Sequence, residues 1–354
     1  MTLALLTRPG QAGTTRVAEI GADDVHPGEV PLRPLEIGVC GTDREISEGL
    51  FGIAPGGGEL VLGHELLGVV ERDGHGFARG DLVTATVRRS CGHCAACGAG
   101  SPDSCLTGDY SERGITRLHG FARERVSEDP EQLIAIPASL GRIGVLAEPA
   151  SVCARAIRHA RAIGGRHPWQ LERSLVIGAG AVGMLATFLL RLEGVDVWTA
   201  ALEPAGELRA QLAAASGARY VSTAETPIAE LRAEAGGFDL VIEATGNAQV
   251  MADTLGLLRR SGVACLLGID PRQQTVGIDG TVLGLDAILE NRVLFGSVNA
   301  QRRDWVAAVD ALAEARRRWP DALAAFVGLR VPLDRFQEAF DHRGSKATLV
   351  LSET

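Results

Sequence analysis

Four cysteines, Cys91, Cys94, Cys97 and Cys105, stand at C-x2-C-x2-C-x7-C spacing on one short stretch of chain. Four soft thiolates on a tightly turning loop suit tetrahedral zinc. Gly92, Gly98 and Gly100 let the backbone bend around an ion. The competing reading is two disulfides or four unrelated buried thiols, but a reducing interior favours metal for such a cluster. An all-thiolate sphere is closed and leaves no position for a substrate. The loop therefore predicts a structural zinc and directs attention to sparser donors elsewhere.

Cys40 and Thr42 fall in Cys40-Gly-Thr-Asp43, His64 and Glu65 in Gly63-His64-Glu65, and Glu148 in Leu146-Ala-Glu148-Pro149. Singly, each has a bland reading: a lone cysteine is usually buried, and a lone histidine is usually structural. Together they offer one thiolate, one imidazole and two carboxylates, a mixed set that leaves a zinc position open. Zinc in such a site lowers the pKa of an alcohol oxygen and polarises a carbonyl in the reverse direction, which pairs with hydride exchange at nicotinamide. Spacing alone leaves this set undecided.

The run Gly178-Ala-Gly180-Ala-Val182-Gly183 is a G-x-G-x-x-G turn between an apolar strand and a helix. Gly178 makes the turn, Gly180 lets a pyrophosphate approach the backbone, and Gly183 lets the helix pack on the sheet. The helix N-terminus then meets the phosphate charge. Glu203 lies twenty residues beyond Gly183, where an acid accepts from a ribose 2′-OH and repels a 2′-phosphate. The first following arginine, Arg209, falls inside the next helix, so NAD is favoured over NADP; the alternative is a solvated loop acid. Thr245, Gly246 and Asn247 either edge the cofactor site or form an ordinary polar turn.

The elements that must position these groups come in two textures. Short β-like runs at 31–39, 66–71 and 81–87 predict an irregular, β-rich domain, and 145–163 reads as an Ala-rich helix. From Ser174 onward strands and helices alternate: strands at 174–178, 195–200, 238–243, 263–268 and 293–298, helices at 184–192, 206–216 and 248–259. That alternation predicts a doubly wound parallel sheet and an α/β fold class. A helix at 305–318 and a β-like stretch at 347–352 close the chain, and the tail is expected to return to the first domain. The expected division is 1–154 with 298–354, and 155–297.

With 354 residues, 46% of them hydrophobic, two domains with a sizeable core are expected. The net charge of -9 argues against a nucleic-acid surface. Lys346 is the only lysine, which reads as coding bias in an arginine-rich chain. No apolar run is long enough to span a membrane. The apolar patch at 3–6 lacks a basic flank and a cleavage site, so a cytoplasmic setting is expected. Cys153 and Cys265 sit in apolar contexts and read as core thiols.

Several runs carry a resemblance: Gly38-Val-Cys-Gly-Thr-Asp-Arg-Glu-Ile46, Leu60-Val-Leu-Gly-His-Glu65, Val87-Arg-Arg-Ser-Cys91, His119-Gly-Phe121, Gly144-Val-Leu-Ala-Glu-Pro149, Ser111-Glu-Arg-Gly-Ile115 and Ser297-Val-Asn-Ala300. Over essentially its whole length the chain resembles the zinc-dependent medium-chain dehydrogenases. The first two runs and the cysteine loop mark that superfamily; the last two are similar to its glucose dehydrogenase branch. The resemblance implies a GroES-like β-rich catalytic domain plus a Rossmann domain. It implies a catalytic zinc at Cys40, His64 and Glu148, with Glu65 as ligand or as its neighbour, and a structural zinc at the cysteine loop. Thr42 would relay the proton of a zinc-held alkoxide while hydride passes to nicotinamide. Glu112 and Asn299 would hydrogen-bond hydroxyls of a small polyhydroxylated substrate; otherwise Glu112 is a salt-bridge acid and Asn299 a turn residue. A homo-dimer or homo-tetramer would be usual. Two departures stand out: Glu203 where many glucose dehydrogenases carry basic residues, and Val87 where some sugar-oxidising relatives carry an amide. A cyclitol or aminocyclitol substrate is thus an alternative, and a non-catalytic relative a remote one.

Overall fold

The computed structural model describes residues 1–21, 27–272 and 274–352, and the chain divides into two compact units. The first comprises Met1–Ser151, Asn299–Arg316 and Phe326–Thr354. Its axis is the ten-residue strand Val30–Val39, whose C-terminal half is buried on both faces. Glu65–Val70 pairs on one side, with Gly38 opposite Glu65; Ala347–Val350 pairs on the other, with Ala347 opposite Val39. Pro34, which cannot donate to a ladder, sits where the first of these registers shifts. Leu32, Ile37, Leu66, Val83, Phe121 and Leu349 fill the core around this strand, and each such buried apolar side chain contributes roughly 1.5–3 kcal/mol. The register delivers Cys40, Glu65 and Lys346 to one end of the sheet.

The second unit comprises Val152–Val298 and Arg317–Ala325. Six parallel strands lie in the order Arg219–Ser222, Asp196–Ala201, Arg173–Ile177, Phe238–Glu243, Leu258–Leu266, Val293–Gly296. Numbered along the chain this is 3-2-1-4-5-6, the Rossmann order, with its switch point beside Arg173–Ile177. The strand Arg219–Ser222 and the helix Ile228–Ala235 were not anticipated: the first is four residues long and polar at both ends, and the second has a weak apolar stripe. The strand expected at 263–268 starts at Leu258 and ends at Leu266, because the preceding helix stops at Leu257 and Phe238 pairs with Leu258 before a register shift. Arg317–Ala325 packs with this unit although it lies in the C-terminal tail; the Trp319 ring rests 5.6 Å from that of Phe188. Among the described residues, no helix is long and apolar enough to cross a membrane.

Candidate active site

Cys40 caps the N-terminus of the helix Gly41–Ser47, directly after the central strand. His64 follows Gly63, whose φ of +87° and close neighbours (a Cβ would lie 2.7 Å from Ile37 Cγ2) demand glycine. Glu65 opens the next strand. These two segments bring ligand atoms of Cys40, His64 and Glu65 within 4.8 Å of one another. Cys40 Sγ lies 3.2 Å from His64 Nε2, and His64 and Glu65 are 4% and 1% exposed.

Asp43 organises the cluster, a function the sequence reading did not assign to it. One of its oxygens, Oδ2, accepts from the Cys40 backbone amide at 3.0 Å; the other, Oδ1, stands 3.5 Å from His64 Nδ1. An acid at the third position of a helix bonding back to its cap is a capping-box element. A carboxylate on the second ring nitrogen of a metal-binding histidine fixes its orientation and raises its basicity. Burial alone would lower the His64 pKa, but the Cys40 and Asp43 charges outweigh it and raise it well above 6.5. Burial would raise the Asp43 carboxyl, yet His64 and Lys346 bring it below its ordinary value.

Lys346 ion-pairs with Glu65, both side chains being 1% exposed, and its Nζ donates to the Val39 carbonyl at 3.0 Å. The chain's only lysine is thus a buried counter-ion, not a random exception to arginine usage. Gly38 makes room for the pair: a Cβ there would stand 1.9 Å from Glu65 Oε2 and 2.9 Å from Lys346 Cε. Glu148, half-buried in the first turn of Ala147–Gly164, stands outside the three-donor group. Burial pushes its carboxyl up to about 7, against the pull of His64 and Lys346. Thr42 is half-exposed, two residues beyond Cys40. In the same unit Asn299 Nδ2 donates to Glu112 Oε1 at 3.2 Å, and Asn299 holds a φ of +67°. Positive φ is uncommon outside glycine, asparagine being among the more tolerant residues.

The four loop cysteines also gather within 4.8 Å, all half-exposed, and none forms a disulfide. Cys94 and Cys97 sulfurs lie 3.4 Å apart and Cys91 and Cys97 3.8 Å, against about 3.8 Å for the edge of a tetrahedral zinc–thiolate site. The Thr107 hydroxyl draws the Cys91 thiol down to about 7, and the Leu106 amide does the same for Cys94.

In the second unit Gly178 adopts a φ of +104°, and a Cβ on Gly183 would lie 1.8 Å from the Gly178 carbonyl oxygen. Gly180 caps the helix Ala181–Leu192 and faces open space, while the Val182 carbonyl accepts from Cys153 Sγ. Glu203 is ion-paired: Arg209 reaches back from its helix to the carboxylate, and the Tyr220 hydroxyl donates to the Glu203 carbonyl at 2.7 Å. The Asn247 side-chain oxygen accepts from the amides of Gln249 and Val250, so it is occupied as a helix cap. Thr245 is tied to the buried Glu243, and Gly246, at φ +74°, packs against the Ile269 carbonyl.

A Rossmann-ordered sheet and a β-rich unit with one mixed-donor and one all-thiolate cluster are the attributes of a zinc-dependent, nicotinamide-linked alcohol dehydrogenase. Residues 141–352 match the family model described as glucose dehydrogenase C-terminus, and 26–138 that described as alcohol dehydrogenase GroES-like domain. Glucose 1-dehydrogenase from Methanocella arvoryzae is 41% identical over 335 residues, 93% of each chain. Glucose 1-dehydrogenase 1 from Caldivirga maquilingensis is 40% identical over 342 residues, 95% of each. The Haloferax mediterranei glucose dehydrogenase in complex with NADP, Zn and gluconolactone superposes with a TM-score of 0.91 at 29% identity, over 99% of this chain and 100% of that one. The chain belongs to the glucose dehydrogenase family of zinc-dependent medium-chain dehydrogenases.

Proposed function

We propose that this protein oxidises the anomeric hydroxyl of glucose, or of an aldose close to it, to the lactone, with NAD(P) as acceptor. The observation that carries this reading is the buried grouping of Cys40, His64 and Glu65 donors within 4.8 Å, with Asp43 behind the histidine. Thiolate, imidazole and carboxylate suit zinc, and the carboxylate–histidine pairing is what a metal-binding imidazole requires. Cys40, His64 and Glu148 would hold the catalytic ion, and Glu65, shared with Lys346, would stand as an exchangeable fourth donor. When bound, that zinc supplies a Lewis acid to the substrate oxygen and the nicotinamide a hydride acceptor.

The chain's own residues do the rest. Asp43 holds Cys40 and His64 in place. Thr42 Oγ1 takes the hydroxyl proton and passes it on. Glu112 and Asn299 orient the sugar by its remaining hydroxyls, and the sugar subsite is the feature that separates this reading from simple alcohol oxidation. The turn at Gly178, Gly180, Val182 and Gly183 cradles the pyrophosphate, bordered by Thr245, Gly246 and the Asn247 backbone. Glu203 favours NAD by accepting from the ribose diol; Arg209, already in contact with it, offers a 2′-phosphate a partner, so NADP is also used. A second zinc would be held by Cys91, Cys94, Cys97 and Cys105. Free thiols throughout suit the reduced cytoplasm. The edge strand Val293–Gly296 and exposed Leu283, Leu285, Ile288 and Leu289 support self-association as a dimer or tetramer. Formation of NAD(P)H absorbance across an aldose and polyol panel tests the reading: glucose-type aldoses should give the highest kcat/KM, and a cyclitol preferred over every aldose would overturn it.

A further inference from the structure

Arg88 has no place in the roles above, yet its guanidinium is directed at the sugar subsite. Its side chain is 9% exposed. The strands Arg88–Arg89 and Ser111–Arg113 pair antiparallel, with Arg88 opposite Glu112. Across that rung Nε and Nη2 converge on Glu112 Oε1, at 3.0 and 2.9 Å. Asn299 Nδ2 donates to the same oxygen at 3.2 Å. Among the described residues, every hydrogen bond to the Glu112 carboxylate falls on Oε1. The remaining arginine nitrogen, Nη1, donates to the Asp103 carbonyl at 2.6 Å, within the turn Pro102–Ser104 that leads into Cys105. The Tyr110 ring lies against the guanidinium, 3.9 Å from its carbon.

We propose that Arg88 is a positioning residue for substrate recognition: it holds Glu112 by one oxygen so that Oε2 is presented to a sugar hydroxyl, and it anchors that orientation to the thiolate loop through Asp103. This rests on Glu112 being a hydroxyl acceptor. With three donors gathered on one oxygen, the other carboxylate oxygen points in one fixed direction, and that direction makes it selective for one hydroxyl position. Lysine, a point charge on a flexible stem, can keep the ion pair but not the fork, the carbonyl bond and the ring contact together. The Arg88→Lys enzyme therefore keeps its charge and loses its geometry.

The test uses the zinc-loaded enzyme with D-glucose and the mono-deoxy-D-glucoses, comparing wild type, Arg88→Lys and Glu112→Gln. Arg88→Lys should raise the glucose KM by at least about tenfold with kcat altered less than about threefold. Zinc content and the cofactor KM should hold. Wild type should be penalised on the one deoxy sugar that lacks the recognised hydroxyl, and in Arg88→Lys that penalty should collapse towards one. A merely structural arginine would lower stability or turnover on all sugars in parallel and leave the deoxy penalty intact, which overturns the proposal. An unchanged glucose KM in Arg88→Lys beside a raised one in Glu112→Gln overturns the role of Arg88 alone. An unchanged KM for every aldose in Glu112→Gln overturns the subsite itself, and Arg88's role with it.

Discussion

Cys91, Cys94, Cys97 and Cys105 come from one short, half-exposed loop and meet as four like donors. Cys40, His64 and Glu65 come from two segments, Cys40 from one and the adjacent His64 and Glu65 from another, are of three kinds, and lie beside a buried acid and a buried lysine. The first arrangement gathers four donors with no help from the rest of the fold. The second exists only because the sheet register sets Gly38 against Glu65 and Ala347 against Val39. A local, closed cluster suits a structural ion, and a dispersed, mixed cluster suits an ion that must exchange a ligand with substrate.

The sharpest way to break this contrast is to remove a mixed-set donor. Cys40→Ala or His64→Ala should cut kcat by at least about a thousandfold, because Lewis-acid stabilisation is worth several kcal/mol. Cofactor binding, read by fluorescence titration, should persist, and substantial turnover in either variant would refute the assignment. Asp43→Asn should weaken zinc affinity or activity about 10- to 100-fold, the usual cost of losing a ligand's supporting carboxylate; competition with a chelator measures it. Glu112→Gln should raise the glucose KM about tenfold, the loss of one charge-assisted hydrogen bond. Glu203→Ala should narrow any NAD preference by only a few-fold, since Arg209 remains to meet either ribose. The smallest effect on chemistry belongs to Cys105→Ser: kcat per folded enzyme should change less than about threefold, while the melting temperature drops by about 5–10 °C as the loop loses its ion.

The same contrast explains what could be read from the chain alone. The cysteine loop and the glycine turn were legible because their chemistry is local: four thiols on one loop, and a strand, turn and helix in succession. Gly178 and Gly183 are required by a positive φ and a 1.8 Å approach within six residues of each other. Lys346 was not legible. Its partner Glu65 is distant in the chain, and only the strand register joins them. Asp43 stood in the right motif, but its contact with His64 depends on how the strand carrying Glu65 docks. Arg209 lies inside the next helix, as its position in the sequence indicates, but its side chain folds back to Glu203, a contact the sequence does not show. Asn247 reads from the sequence either as a cofactor-edge residue or as part of a polar turn; its side-chain oxygen caps a helix, a contact that depends on where that helix starts. Arg88 lies in the run Val87-Arg-Arg-Ser-Cys91, which supports the resemblance without giving this side chain a role; its significance comes from the rung it shares with Glu112.

Zinc stoichiometry in parallel variants tests the two-cluster account most directly. Atomic emission on purified wild type should give two zincs per chain. Cys40→Ala should retain one zinc, still fold and bind NAD(P), and lack turnover, whereas Cys94→Ser should also retain one zinc but keep turning over. One zinc in wild type, or full activity in Cys40→Ala with its activity lost instead in Cys94→Ser, would contradict the account.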